Sequence, residues 1–102
     1  MTTWRQGDEE RTKEVLEGKR PATENGKTWL RHKEGTSCYI IDLEILKGMS
    51  SVEEIAEIAR CPISRVNAHR DHLQERKDRD IVPHHLKIHS INGKLMFDKN
   101  GF

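Results

Sequence analysis

The sequence predicts a mainly α-helical fold with a small β-hairpin, in which a three-helix core is followed by a C-terminal hairpin. Two observations lead to this prediction. In the middle of the chain, hydrophobic residues recur with helical spacing on both sides of a turn at Cys61 and Pro62. Near the C-terminus, Asn92 and Gly93 separate two segments that alternate with period two, a pattern typical of a hairpin with a two-residue turn.

The first of the two central helices is predicted to begin after Ser51. Ser51 is a favourable N-cap, and Glu54 stands three residues later, so the pair predicts a capping box. The predicted inner stripe consists of Val52, Ile55, Ala56 and Ala59, widened by Ile58. Cys61 and Pro62 end this helix, and Pro62 can also open the next one because a first helical turn leaves its N–H groups unpaired.

The second central helix is predicted to have an apolar inner side and a polar outer side. The inner residues are Ile63, Val66 and Leu73, and the outer ones are Ser64, Arg65, Asn67, Arg70 and Asp71. Ala56 supplies the small side chain that a close helix crossing needs. Two short helices with this pattern form a helix-turn-helix unit.

The residues Glu54-Ile55-Ala56-Glu57-Ile58-Ala59, Cys61-Pro62-Ile63 and Val66 resemble the helix-turn-helix of bacterial DNA-binding proteins. They are similar in particular to the promoter-reading segment of the small sigma factors, where a Cys-Pro-hydrophobe turn precedes a valine. Two positions depart from that pattern, since Arg60 stands where a glycine is common and His69 where a hydrophobe is expected. The alternative is a plain αα-hairpin in a small helical domain.

A further helix is predicted over Ser37 to Lys47, the most hydrophobic stretch, with Thr36 or Ser37 as N-cap and Gly48 at its end. Its β-branched residues leave a buried strand as the alternative. The hairpin is predicted over residues 84–91 and 94–98, and its inner face consists of Leu86, Ile88, Leu95 and Phe97. A charged stretch at 75–80 is expected to continue the preceding helix, and residues 81–83 to break it.

Three helices followed by a hairpin resemble the winged helix-turn-helix family of bacterial or phage transcriptional regulators, in which the hairpin is the wing. The small sigma factor segment has no wing, which counts against that identity. We therefore expect a polar segment at residues 1–36, partly ordered or serving as a dimerisation arm, and a winged helix-turn-helix domain at residues 37–102. Trp29 is expected to pack over the core.

Composition limits the function classes. The net charge is only +1, but residues 61–102 carry eight Lys/Arg against five Asp/Glu, whereas residues 1–60 carry ten against twelve. The basic part begins where the second central helix begins, which suits a surface that faces phosphates. Two cysteines are not a disulfide framework, no signal peptide is recognisable and no apolar run is long enough for a membrane span, so a cytoplasmic location is expected.

The resemblance implies that the second helix of the unit enters the major groove of double-stranded DNA and that the wing contacts the backbone. Carried onto this chain, the DNA-binding residues would be Ser64, Arg65, Asn67, Ala68, Arg70 and Asp71 on the helix and Lys87, Asn92 and Lys94 on the wing. Arg65 could pair with a guanine edge and Asn67 with adenine. Arg70, Arg76 and Lys77 would contact phosphates.

Enzymatic and metal-dependent functions have weaker support. No nucleophile elbow, P-loop or dinucleotide fingerprint occurs, so we expect no catalytic residues and no cofactor. A zinc site that combines His72 with His84 or His85, and with Cys61, is conceivable, but no CxxC or HExxH spacing is present. We expect no metal, and the histidines are expected to donate to phosphates or to pack.

The expected function is sequence-specific DNA binding by a small transcriptional regulator of a bacterium or mobile element. A homodimer on a two-fold site is expected because one such unit reads too short a site for high specificity. The alternative is a winged-helix module that docks on a protein partner in the polymerase, replication or packaging machinery.

Overall fold

The structure is a computed structural model that describes residues 8–74 and 86–98. Its elements are, in chain order, α1 (Asp8–Leu16), β1 (Thr23–Glu24), β2 (Lys27–Thr28), α2 (Ser37–Lys47), α3 (Val52–Ala59), α4 (Ile63–Leu73), β3 (Ile88–Ile91) and β4 (Lys94–Phe97). The predicted fold class is confirmed. The three-helix core consists of α2, α3 and α4, the helix-turn-helix of α3 and α4, and the C-terminal wing of β3 and β4.

Local capping interactions fix the ends of α2 and α3 as the sequence predicts. The Thr36 hydroxyl accepts a hydrogen bond from the Tyr39 N–H at 3.3 Å, and Gly48 ends α2 in the left-handed conformation with φ 67°. At the start of α3, the Glu54 N–H donates to the Ser51 hydroxyl at 3.2 Å, and the Ser51 N–H donates to the Glu54 carboxylate at 2.8 Å. This reciprocal pair is the predicted capping box.

Arg60 ends α3 in the left-handed conformation, with φ 56° and ψ 47°. Its N–H donates to the carbonyls of Ala56 and Glu57, and the Cys61 N–H donates to the Ala56 carbonyl at 3.0 Å. The backbone conformation at this position is one that glycine adopts without steric cost and that a side chain strains. The departure from glycine that the sequence shows at Arg60 is therefore a real structural cost at the turn.

The core lies among α2, α3, α4 and the wing, and it extends to the N-terminal elements. Its buried hydrophobic residues are Val15, Trp29, Leu30, Ile41, Ile45, Ile55, Ala56, Ala59, Val66, Leu73, Leu86, Ile88, Leu95 and Phe97. The prediction that Ile58 and Ile63 face the core is wrong, because their side chains are 48% and 45% exposed. Ile58 lies beside the narrow apolar stripe that α3 buries. Ile63 is the first residue of α4, directly after the turn, and its side chain does not reach the core.

The wing has the predicted register. Ile88 pairs with Phe97, His89 with Met96, Ser90 with Leu95, and Ile91 with Lys94, while the four predicted inner residues are buried. The strand β3 begins at Ile88, later than predicted, and the predicted start at residues 84 and 85 lies outside the described residues. The same is true of the predictions for residues 75–83, which include Arg76 and Lys77.

Backbone hydrogen bonds attach the wing to the helical core at two points. The Leu95 N–H donates to the Ser50 carbonyl in the α2–α3 connection at 3.0 Å. The Leu86 N–H donates to the carbonyl of Leu73, the last residue of α4, at 2.6 Å. Because these bonds join β4 to one end of the helix-turn-helix and the approach to β3 to the other, they fix the wing relative to α4.

The described part of the N-terminal segment packs on this core. Trp29 is buried, as expected; its ring meets Phe97 edge to face at 5.8 Å, and its indole N–H donates to the Thr12 hydroxyl of α1 at 2.8 Å. Asn25 and Gly26, both at positive φ, form the turn of the short β1–β2 hairpin that precedes Trp29. No helix in residues 8–74 or 86–98 has the length and apolar character needed to cross a membrane.

We predict that Arg60→Gly will stabilise the fold. Removing the side chain relieves the left-handed strain at the end of α3, and we expect the free energy of unfolding to rise by about 0.5–1 kcal/mol in urea denaturation. Arg60→Ala, which loses the same charge but keeps a Cβ, should give no comparable gain. An equal gain from both variants would mean that the guanidinium and not the backbone is the source of the cost.

Candidate nucleic-acid interface and the buried cluster beneath it

The first turn of α4 presents a polar surface to solvent. Ser64 and Arg65 are exposed, whereas Val66, His69 and Leu73 form the buried face of the same helix. Pro62 is the N-cap and makes no side-chain capping bond. Of the candidate DNA-binding residues on α4, these two have the freest access to a ligand.

The other candidates on α4 are only half exposed. Asn67, Ala68, Arg70 and Asp71 are of intermediate burial. Helical spacing puts Asn67, Ala68 and Asp71 with Ser64 on the side away from the buried face, while Arg70 lies on a flank. The Nε atom of Arg70 is buried and has no hydrogen-bond partner among the described residues, so contact with a ligand would use its terminal nitrogens.

The wing exposes the three residues that the sequence proposes for DNA contact. Lys87 precedes β3, Asn92 occupies the tight turn with φ 54°, and Lys94 begins β4; all three are exposed. The Asp98 N–H donates to the Lys87 carbonyl at 2.9 Å, so these two residues lie opposite each other. The Asp98 carboxylate pairs with His89 at 2.9 Å.

Beneath α4 lies a buried cluster of polar side chains, which we call the Asp42 cluster; it consists of Thr28, His32, Asp42 and His69. Asp42 is fully buried on α2, and its carboxylate accepts three hydrogen bonds. Nε2 of His69 lies 2.7 Å from Oδ1, the Thr28 hydroxyl donates to Oδ2 at 2.8 Å, and Nδ1 of His32 also contacts Oδ2. The cluster therefore connects β2, the connection that follows it, α2 and α4.

The chain places each member of this cluster by local structure. Thr28 ends β2, and its hydroxyl also accepts the N–H of Leu30 and of His32, each at 3.3 Å. Arg31 adopts φ 71°, and the Thr28 N–H donates to the His32 carbonyl at 2.9 Å, so the chain turns back at this point. This turn brings the His32 ring to 4.8 Å from that of His69 and 6.4 Å from that of His72.

The electrostatics of the cluster favour an ion pair. Burial opposes the charged form of His69, but the hydrogen bond and charge of Asp42, with a further contribution from Cys38, raise the pKa of His69 to about 9. Burial likewise opposes the charge on Asp42, but the hydrogen bonds from His32 and His69 outweigh it, and the pKa of Asp42 lies below its usual value of 3.8. His69 is thus an imidazolium at neutral pH and Asp42 a carboxylate.

No pattern in the sequence predicts this cluster. The histidine site that the sequence suggested combined His72 with His84 or His85, and with Cys61; residues 84 and 85 lie outside the described part of the chain. The described residues instead bring together His32, Asp42 and His69. Two signals could have pointed to it: His69 stands where a helix-turn-helix has a hydrophobe, and Asp42 stands between Ile41 and Leu43 in the most hydrophobic stretch of the chain. Both indicate a buried polar partner, but neither identifies which residue it is.

We predict that metal-free protein, with a chelator present, will lose stability as the pH rises from 6.5 to 9. Folding raises the pKa of His69 from 6.5 to about 9. Its contribution to the free energy of unfolding is therefore complete below pH 6.5 and disappears as the pH rises through about 9. The effect on the free energy of unfolding should be on the order of 1–3 kcal/mol. The groups that face the imidazole are Asp42 and Cys38 from α2, His32 from the connection after β2 and His72 from α4.

Asp42→Asn is the control for this prediction. It removes the charge that raises the pKa of His69, so the variant should be less stable and should show little pH dependence between 6.5 and 9. In the acid range the sign reverses: the contribution of Asp42 is present above 3.8 and disappears as the pH falls through its lowered pKa. If the free energy of unfolding changes equally with pH between 6.5 and 9 in the wild type and in Asp42→Asn, the assignment of this pH dependence to His69 and Asp42 is wrong.

Comparison of the chain with family models, with curated proteins and with solved structures gives no match. The resemblance of the helix-turn-helix and the wing to the winged helix-turn-helix family therefore comes from the motifs and their order along the chain. What the protein binds has to be inferred from its own exposed and buried side chains.

Proposed function

We propose that the protein binds double-stranded DNA in a sequence-specific manner, as a small transcriptional regulator of the winged helix-turn-helix type. The single observation that supports this most is that one face of α4 is buried in the core while its first turn is exposed to solvent. Its inner face is held by Val66, His69 and Leu73, while Ser64 and Arg65 on its first turn remain exposed. In a helix-turn-helix, the N-terminal residues of the second helix are the ones that contact base edges.

The proposed roles of the α4 residues follow from their exposure and chemistry. Arg65 can donate two hydrogen bonds to a guanine edge, and Ser64 can contact either a base or a phosphate. Asn67 can pair with adenine and Ala68 can contact a thymine methyl group. Asp71 can accept from cytosine, and Arg70 supports the position of the helix through phosphate.

The wing supplies the second contact in this proposal. Lys94 and Asn92 at its tip and Lys87 at its base are exposed, and lysine side chains bind phosphates without reading sequence. The two backbone attachments at Ser50 and Leu73 fix the wing relative to α4. A helix and a hairpin held in this way can engage a groove and the adjacent backbone together. A homodimer on a two-fold site would then give the length of site that specificity requires.

A second candidate function is docking on a protein partner. Ile58 and Ile63 are exposed on either side of the α3–α4 turn, at 48% and 45%. Glu53 and Glu57 on α3 are exposed as well, and they would repel phosphates. Two exposed isoleucines next to carboxylates are better able to bind a protein surface than a DNA duplex.

Selection of bound fragments from random DNA duplexes tests the first proposal. The wild-type protein should enrich a defined site. Arg65→Ala should weaken binding by about 1–3 kcal/mol and relax the preference at one position, because one bidentate base contact is lost. Lys94→Ala should weaken binding to all duplexes to a similar extent. It should also reduce by about 1 the slope with which the logarithm of the binding constant falls against the logarithm of the salt concentration.

Lys19→Ala is the matched control for Lys94→Ala, since it removes one exposed positive charge from outside the proposed surface. It should leave both affinity and salt slope nearly unchanged. If no duplex is enriched and binding to DNA does not fall as salt rises, the DNA proposal is wrong. A partner interaction that is insensitive to salt and is lost in Ile63→Ser would then favour the docking function.

A further inference from the structure

The Asp42 cluster brings potential metal ligands from three separate segments to one point. One ligand atom from each of His32, Asp42 and His69 lies within 4.8 Å of the others. His32 comes from the connection after β2, Asp42 from α2 and His69 from α4. Asp42 and His69 are buried, and His32 is partly buried, so this is an interior cluster and not a group of solvated surface charges.

Cys38 adds a sulfur ligand beside these three. It precedes Asp42 by four residues on α2, which places both side chains on one face of the helix. Cys38 is half-buried and forms no disulfide; its thiol is not among the three ligand atoms within 4.8 Å of one another, so it would complete the set as the fourth ligand from the same face of α2. The four side chains therefore offer two imidazole nitrogens, one carboxylate oxygen and one thiolate.

We propose that His32, Cys38, Asp42 and His69 form a binding site for a divalent transition-metal ion, with Zn²⁺ as the preferred ion. Zinc takes four ligands of these types in tetrahedral geometry, at about 2.0–2.3 Å. The proposal does not depend on DNA binding, and it differs from the histidine site that the sequence suggested, which used Cys61 and His72 with His84 or His85.

Binding of a metal ion at this site requires that the ligand atoms lose the protons they carry. Binding of the ion displaces the Nε2 proton of His69 and the Cys38 thiol proton, and both are released to solvent. His32 binds through Nδ1, and its ring proton moves from Nδ1 to Nε2. Asp42 is then a ligand through one carboxylate oxygen, and the Thr28 hydroxyl can continue to donate to its Oδ2 atom. The ligand atoms of His32, Asp42 and His69 lie within 4.8 Å of one another, against roughly 3.3 Å between neighbouring ligands of a tetrahedral zinc ion. Nε2 of His69 and Oδ1 of Asp42, which are 2.7 Å apart, have to separate to admit the ion.

His72 is the nearest competitor for a place in this set. It lies three residues after His69 on α4, and its ring centroid is 6.0 Å from that of His69. It is farther from His32, at 6.4 Å, than His69 is, at 4.8 Å. We therefore assign His72 a place outside the coordination sphere.

Titration of the chelator-stripped full chain with Co²⁺, followed by displacement with Zn²⁺, tests the site. We expect one equivalent to bind with intense visible bands typical of tetrahedral Co²⁺ and a near-ultraviolet band from the thiolate. Cys38→Ser should lose the near-ultraviolet band, and His32→Gln should weaken binding at least about 10-fold. One equivalent of Zn²⁺ should also raise the midpoint of thermal unfolding of the wild type, because the ion binds the folded state.

His72→Ala and His89→Ala are the matched controls, since each removes one histidine from outside the proposed set. Both should retain the wild-type cobalt spectrum, and circular dichroism verifies that every variant is folded. The proposal is overturned if the wild type binds no stoichiometric Co²⁺ or Zn²⁺, a result that needs no variant. It is also overturned if the spectrum survives unchanged in Cys38→Ser and His32→Gln, or is lost in His72→Ala.

Discussion

The carboxylate of Asp42 and its three hydrogen-bond donors are the constraint on which the position of α4 depends. A buried charge without partners would cost several kcal/mol, so Asp42 can be buried only where Thr28, His32 and His69 reach it together. These residues belong to β2, the connection after it and α4. Packing of the apolar residues brings the elements together, but this one acceptor fixes their relative positions.

The exposed surface of α4 follows from this buried constraint. Once His69 is held by Asp42, with Val66 and Leu73 buried on the same face, Ser64 must point away from the core, and Arg65 stays exposed on the flank. The backbone bonds from Leu95 to Ser50 and from Leu86 to Leu73 attach the wing to this helix and to the connection before α3. Buried contacts thus hold the inner side of α4 in place, as a binding site on its outer side would require.

The features that could be predicted from the sequence are those fixed by neighbours in the chain. The Ser51–Glu54 capping box and the hairpin register around Asn92 both depend on residues a few positions apart. The burial of Ile63 was predicted wrongly, because helical spacing does not show how far the turn holds the first residue from the core. The Asp42 cluster was not predicted, since the sequence separation between Asp42 and His69 is 27 residues and no local pattern encodes the pairing.

Stability alone gives a poor account of why this chain buries a carboxylate and two imidazoles under its proposed recognition helix. A hydrophobic residue at position 69, as the helix-turn-helix pattern favours, would need no partner, and buried ion pairs can often be replaced by apolar residues without loss of stability. A half-buried thiol, Cys38, lies one helical turn before the carboxylate on α2, beside this cluster. Two imidazoles, a carboxylate and a thiol together are what a zinc ion needs, and they join α4 to α2 and to the connection after β2. A bound ion would therefore act on the same helix that presents Ser64 and Arg65 to solvent.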